Sequence, residues 1–375
     1  DAVSSWWACN LGHGNTRIVR AIERQVRTLQ HSILGNLTHP RAIELADRLV
    51  KLFPGARRRV FFASDGASAV EAALKIALQY WHNLDQPEKR RFVSLDDAYH
   101  GDTLGAVSVG YLEGFHKPFR SSLFPVFRAE SPHCAACIHG RKPVSCALEC
   151  FESMKRVFGK HRGELAAVVI EPLCQGAAGM RMHPPKYLRR LAALCKRHGV
   201  LLIADEIAVG MGRTGRMFAF QHAGIDPDIV CIGKGLSGGY LPISATVVKG
   251  AIFDTFADKP ADRTFYHGHT FAGNPIACAA ALETLTIYGE KQIVKRAADM
   301  GRVLAKELRT LAGLPGIAGI RSLGMIGAFE TDDATLIRDR LRERHGILLR
   351  PLGRTLYLML PLTVSAGLIR RTIRA

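Results

Sequence analysis

Residues 200–239 read VLLIADEIAVGMGRTGRMFAFQHAGIDPDIVCIGKGLSGG. The opening apolar run is too short for a long helix and is bounded by the polar pair Asp205 and Glu206, so it predicts a buried strand that delivers Asp205 at its C-terminal end. Open α/β sheets place their ligands at such ends. A glycine-punctuated loop follows, and a second apolar run, Ile229 to Ile232, stops at Gly233, Lys234 and Gly235. A carboxylate and a lysine thus stand at the ends of two strands.

Either residue alone is commonplace, since a lysine between glycines is usually solvated and a carboxylate after a strand is often a helix cap. Together they suit pyridoxal phosphate. That cofactor needs a lysine amine for its Schiff base and an acid that keeps the pyridine nitrogen protonated, so that the ring absorbs carbanion electrons. A lysine kept from water has its pKa lowered and can then serve as a base.

Outward from this stretch, Arg58 to Phe62, Phe92 to Leu95 and Ala166 to Ile170 read as further strands. Helical spacing marks Arg17 to Leu29, Ala42 to Leu52 and Pro185 to His198, with Pro40 suited to a first helical turn and Gly199 to a C-cap. Strands alternating with helices from Arg58 to Val248 imply an α/β fold with a mostly parallel sheet covered on both faces. From about Lys291 the chain carries helix and strand patterns of its own, expected to form a smaller α+β domain. The expected division is residues 1–34 as an N-terminal segment beside the small domain and the substrate pocket, 35–285 as the large cofactor-binding domain, and 286–375 as the small domain.

The 375 residues, 47% hydrophobic and 22% charged, suffice for a large core and have the composition of a globular protein. No apolar run reaches the ~20 residues of a membrane span, and no charged-then-apolar leader precedes the first strand, so a soluble, cytoplasmic protein is expected. The formal charge of +18 raises the question of nucleic acid. However, Lys and Arg are scattered along the helices and no RNA-binding or helix-turn-helix signature accompanies them, which favours solvated basic faces. Nine cysteines without a leader point to reduced thiols. Cys174, Cys195, Cys231 and Cys278 lie in apolar segments as small core residues. Cys134, Cys137, Cys146 and Cys150, spaced C-x2-C-x8-C-x3-C, could hold a tetrahedral zinc or stay free thiols, and spacing leaves both readings open.

The stretches DEIAVGMGRTG (205–215) and PDIVCIGKGLSGG (227–239) resemble the fold-type I, class III aminotransferases, which depend on pyridoxal phosphate. DAVSSWW (1–7), GDT (101–103), PLCQGAAGMRM (172–182) and LLRPLGRTLYLMLP (348–361) are similar to the subgroup that makes 7,8-diaminopelargonate for biotin synthesis. The resemblance spans nearly the whole chain. It implies Lys234 as Schiff-base lysine and proton shuttle, Asp205 on the pyridine nitrogen, and Tyr99 stacked on the ring while touching substrate. It also implies Gly66 and Ala67 as the cradle of the cofactor phosphate, where a helix N-terminus follows a glycine. Thr270 is expected to reach the phosphate of a neighbouring subunit, which requires a homodimer with shared active sites. Trp6, Trp7, Gly268, His269 and Arg350 are expected to contact substrate, the arginine through its planar fork on a carboxylate. Gly14, Asn15 and Thr16 depart from the family's usual His-Pro after the tryptophans.

The implied reaction is the two-stage amino transfer to 8-amino-7-oxononanoate, with S-adenosylmethionine as the usual donor. Lysine as donor, another class III ω-amino-acid transaminase or a mutase on the same scaffold, and a noncatalytic binding protein of this fold are the alternatives. The tryptophan pair and Arg350 weigh against a different class III enzyme, and intact Lys234 and Asp205 against a noncatalytic protein.

Overall fold

The computed structural model describes residues 1–375 apart from 54, 56, 143, 144 and 258–260. Seven strands form the central sheet: β1 (Arg58–Ala63), β2 (Arg91–Leu95), β3 (Phe127–Ala129), β4 (Leu165–Ile170), β5 (Leu201–Asp205), β6 (Ile229–Ile232) and β7 (Ser244–Lys249). Their spatial order is β1-β7-β6-β5-β4-β2-β3. The pairs from β6 to β3 are parallel, whereas β7 runs antiparallel to both of its neighbours. The expected mostly parallel sheet is therefore present, closed on one side by a reversed strand and the edge strand β1.

β4, β5 and β6 are buried along their whole length, as continuous apolar runs in a doubly covered sheet must be. Alternate residues serve opposite faces. Leu201, Ile203, Ile229 and Cys231 pack with Val70, Leu74 and Trp81 of α3 (Gly66–Asn83). Leu202, Ala204, Val230 and Ile232 pack with Met154 and Phe158 of α4 (Phe151–His161) and Leu188 and Leu191 of α5 (Pro185–His198). Each fully buried Val, Leu, Ile, Phe or Met among them contributes about 1.5–3 kcal/mol. Gly199, at φ 57°, ends α5 as a left-handed C-cap.

The earlier helices are displaced slightly from their expected bounds. α1 is Thr16–Thr28, because Asn15 Oδ1 accepts the Arg17 and Ile18 N–H groups as an N-cap; the Gly-Asn-Thr departure thus starts a helix. α2 is Pro40–Val50, with His39 Nδ1 capping the Ala42 N–H at 3.2 Å.

α6 (Pro275–Glu290) runs across the expected boundary at residue 285 and packs against α1 and α2, and α7 (Ile293–Arg309) continues the chain. Beyond it β8 (Ala318–Leu323), β9 (Ile326–Glu330) and β10 (Thr355–Met359) form an antiparallel sheet in that order, joined by α8 (Ala334–His345) and followed by α9 (Ala366–Arg374). The first residues of the chain are tied to this small sheet. Ala2 N–H donates to Leu348 O at 2.9 Å, Ala2 O accepts the Met359 N–H at 2.9 Å, and Ser4 Oγ–H donates to Met359 O at 2.6 Å.

Candidate active site

The C-terminal ends of β5 and β6 open on a cavity of about 500 Å3 that holds Asp205 and Lys234 together. Asp205 ends β5 and is buried; its Oδ1 accepts the Ile207 N–H at 3.1 Å and its Oδ2 lies 2.7 Å from His100 Nδ1. The bond assigns the ring proton to Nδ1, because a carboxylate only accepts. His100 Nε2 is buried with no partner among protein atoms. Glu206 points the other way, accepting the Ala219 and Phe220 N–H groups at 2.8 Å each and fixing the return of the glycine-rich loop.

Lys234 follows β6 and opens a short 3-10 turn, Lys234–Ser237, with its own backbone at φ 43°. A left-handed conformation in a non-glycine residue costs free energy and persists where surrounding contacts fix it. Its amine lies 4.8 Å from the centroid of the Trp7 ring. Burial pushes the amine's pKa down, while Asp205, Glu171 and Asp102 oppose the shift. The amine is therefore more easily deprotonated than a surface lysine, as a proton carrier requires.

Gly66 begins α3, whose N-cap Asp65 accepts the Ser68 N–H at 2.9 Å. A Cβ on Gly66 would stand 3.0 Å from Ile207 Cγ2, and one on Gly101, at φ 124°, only 2.5 Å from Ala67 Cβ. Two glycines thus let the Tyr99–Thr103 loop and Ile207 close on the helix N-terminus, leaving a recess where its free N–H groups and dipole favour an anion. An amine of lowered pKa, a buried carboxylate and an anion recess in one cavity of this size fit pyridoxal phosphate in donor set and in space. Lys234, Asp205, Gly66, Ala67 and Tyr99 all line it.

Tyr99 closes one wall. Its N–H donates to Glu171 Oε1 at 3.1 Å and its hydroxyl to Asp102 Oδ2 at 2.7 Å; burial, then Asp102, raise the phenol's pKa well above its ordinary value. Glu171 also accepts the Gly176 N–H at 2.9 Å, and burial pushes its pKa up to about 7.

A second cavity of about 570 Å3 adjoins the first, sharing Trp7, Tyr99, Asp102 and Lys234 with it and extending to Trp6, Phe115, Phe119, Leu352 and Arg350. Trp7 is buried and Trp6 is 59% exposed. Ser4, Ser5, Trp6 and Trp7 have φ of 49°, 44°, 64° and 74°, a run of left-handed residues without glycine. Such backbone costs roughly 1–2 kcal/mol per residue. The bonds to Met359 and Leu348 and Trp7 Nε1–H to Tyr357 Oη at 3.3 Å hold it. The guanidinium carbon of Arg350 lies 4.7 Å over the Trp6 ring, and Arg350 makes no ion pair among the described residues. A stacked, unpaired guanidinium facing an apolar cavity is suited to a ligand carboxylate.

Gly268, His269 and Thr270 are exposed and line neither cavity of their own chain. The four-cysteine segment also stands outside both. Cys134, Cys137, Cys146 and Cys150 are free thiols, and among the described residues no three Cys, His, Asp or Glu side chains are arranged to hold a metal ion. In the loop between β3 and α4, Cys146 Sγ–H donates to Glu149 Oε2 at 3.7 Å.

In the sequence Asp102 stands out only as part of the GDT stretch, and nothing there marks a role for Glu171 or His116. A histidine directly after the stacking tyrosine was the signal for His100. The others take their meaning from contacts that spacing does not encode.

A fold-type I sheet with a lysine and a carboxylate at adjoining strand ends defines a pyridoxal-phosphate enzyme of the transaminase type. The class-III aminotransferase family model matches residues 1–375, and the chain belongs to that family. It is 41% identical to the adenosylmethionine-8-amino-7-oxononanoate aminotransferase of Geobacter sulfurreducens, across 98% of this chain and 84% of that protein. The crystal structure of the enzyme of that name from Methanocaldococcus jannaschii superposes with a TM-score of 0.93 at 35% identity, covering 100% of this chain and 86% of that one. The ω-transaminase of Pseudomonas jessenii in complex with PMP gives 0.94 at 30% identity, with 100% and 87% covered. The protein is thus a pyridoxal-phosphate-dependent aminotransferase.

Proposed function

We propose that this aminotransferase converts 8-amino-7-oxononanoate to 7,8-diaminononanoate in biotin biosynthesis, with S-adenosylmethionine as amino donor. The observation that carries the reading is a single apolar cavity with Lys234 in one wall and the unpaired Arg350 in another. A keto acid with an aliphatic chain needs both: a proton carrier beside the carbon of its ketone and a guanidinium for its far carboxylate. The relatives that bear this activity in their names support the choice over ω-amino-acid transaminases.

When bound, pyridoxal phosphate supplies the electron sink for the carbon that loses its proton. In this reading Asp205 keeps the pyridine nitrogen protonated, and His100 holds that carboxylate in place. Gly66 and Ala67 offer backbone N–H groups to the phosphate. Lys234 takes the proton from the donor and returns it to the acceptor, its depressed pKa serving the first step. Tyr99 packs on the ring, and Trp6 and Trp7 exclude water and wall the aliphatic chain.

The proposal includes a cytoplasmic homodimer in which Gly268, His269 and Thr270 serve the neighbouring subunit's site, since they are exposed and line neither cavity of their own chain. It retains the division into residues 1–34, 35–285 and 286–375, with the ties from Ala2 and Ser4 to the small sheet supporting the placement of the first segment. No helix among the described residues is long and apolar enough to cross a membrane.

The test is a donor panel with purified protein, pyridoxal phosphate and 8-amino-7-oxononanoate, with product measured by mass. Diaminononanoate formed with S-adenosylmethionine supports the proposal. Formation with lysine alone would replace the donor, and none with any donor would refute the substrate.

A further inference from the structure

His39 joins two elements that are far apart in the chain. It is 4% exposed, and its Nδ1 accepts the Ala42 N–H at 3.2 Å as the N-cap of α2. The ring proton is therefore on Nε2, and that nitrogen donates to Gly273 O at 2.8 Å. The Cys278 thiol reaches the same oxygen at 3.3 Å, as a weak donor.

Gly273 closes the loop that carries Gly268, His269 and Thr270. The Ala272 N–H donates to His269 O at 3.0 Å and the Asn274 N–H to Phe271 O at 3.1 Å, so Thr270 lies in the first of two overlapping turns. The peptide between Gly273 and Asn274 ends the second turn, and His39 holds its carbonyl. Residues 30–39 grip the loop at further points. Asn274 Nδ2 donates to Gln30 O at 2.9 Å, the His31 and Phe271 rings lie 4.9 Å apart, and a Cβ on Gly273, at φ 63°, would stand 2.6 Å from Leu34 Cδ1. Thr270 is exposed, so its place is set by its backbone and not by packing of its side chain.

We propose that His39 is a positioning residue for cofactor binding in the neighbouring subunit. By fixing the Gly273 carbonyl it sets the turn from which Thr270 reaches that subunit's cofactor phosphate. The inference rests on the shared-site homodimer proposed above.

His39 makes two bonds, and two amide side chains separate them. His39→Asn puts an acceptor near Nδ1 and keeps the cap, for which asparagine is among the best residues, but it is too short to reach Gly273 O. His39→Gln puts amide N–H groups near Nε2, keeping the loop bond and losing the cap.

The test strips the holoenzyme of cofactor and titrates it with pyridoxal phosphate and, separately, with pyridoxal, which lacks the phosphate, following absorbance of the bound aldehyde. His39→Asn raises the Kd for pyridoxal phosphate by about tenfold, the range for one lost hydrogen bond to a charged group, and leaves that for pyridoxal within about twofold. His39→Gln stays within about threefold of the wild type for both, because the loop bond survives. Thr270→Ala shows the same loss of about tenfold, and adding His39→Asn to it brings no more than about twofold further, since the histidine acts through the threonine. Should His39→Asn not fold, His39→Ser, also a good cap and shorter still, carries the same readout. An unchanged Kd for pyridoxal phosphate in the folded variant overturns the inference. Equal losses for both aldehydes overturn it too, because a merely structural role does not single out the phosphate, and so do losses that add in full in the double variant. Normal binding of pyridoxal phosphate by Thr270→Ala refutes the shared-site reading, and the inference with it.

Discussion

His100 Nδ1 and Asp205 Oδ2 lie 2.7 Å apart, both residues buried at the floor of the cofactor cavity. The histidine gives the carboxylate a fixed direction and satisfies one of its oxygens. Removing one partner of a buried, charge-assisted hydrogen bond costs about 1–3 kcal/mol. His100→Ala is therefore expected to fold, to lower kcat by roughly ten- to a hundredfold, and to weaken cofactor binding less. Spectroscopic titration with pyridoxal phosphate and steady-state rates check this, and a normal kcat would remove His100 from the account.

Lys234→Ala is expected to abolish multiple turnover, because it removes both the covalent anchor and the proton carrier. Progress curves with an enzyme excess distinguish a slow enzyme from a dead one. Sustained turnover by the variant would show that another base does the work.

Glu206 gives the fold a pH dependence of known sign. Burial pushes its pKa up to about 8 from 4.5, against the lowering effect of the Ala219 and Phe220 N–H groups. A group with its folded pKa raised contributes stability that is present below the unfolded pKa and is lost as pH rises through the folded one. Stability should accordingly fall between about pH 5 and pH 8, by up to about 1.4 kcal/mol per pH unit from this group alone. Glu206→Gln mimics the protonated form and should flatten that slope in denaturant melts. An equal slope in both proteins would assign the dependence elsewhere.

The four clustered cysteines should purify without metal, at less than about a tenth of an equivalent per chain, since a closed structural site would retain its ion. Elemental analysis of protein prepared without added metal decides it. A stoichiometric zinc content would mean that the loop closes around the ion in solution.

The sheet was legible because β4, β5 and β6 are buried on both faces, which writes them into the sequence as unbroken apolar runs. Asp205 and Lys234 were legible because each directly follows such a run. The cap at Asn15 moved the start of a helix one residue earlier by local chemistry that apolar spacing does not register. Ser4–Trp7 gave no sign of its left-handed turn, for it contains no glycine and is imposed by bonds to β10, more than 340 residues away. Asp102 and His116 stand 14 residues apart, and only the packing of the intervening turns makes them partners.

Arg350 and Lys234 in one cavity are the features on which the substrate assignment stands. If the guanidinium takes the far carboxylate of 8-amino-7-oxononanoate, Arg350→Ala should raise KM for that acceptor by ten- to a thousandfold, corresponding to about 1.4–4 kcal/mol for losing a charge-assisted pair that water partly reaches. The donor half-reaction should change by less than about threefold, since that contact is absent from it. The decisive measurement is single-turnover absorbance of the bound cofactor, with each half-reaction followed separately in wild type and Arg350→Ala. The account predicts a large loss confined to the acceptor half; equal damage to both halves would contradict it and return the substrate to the wider transaminase class.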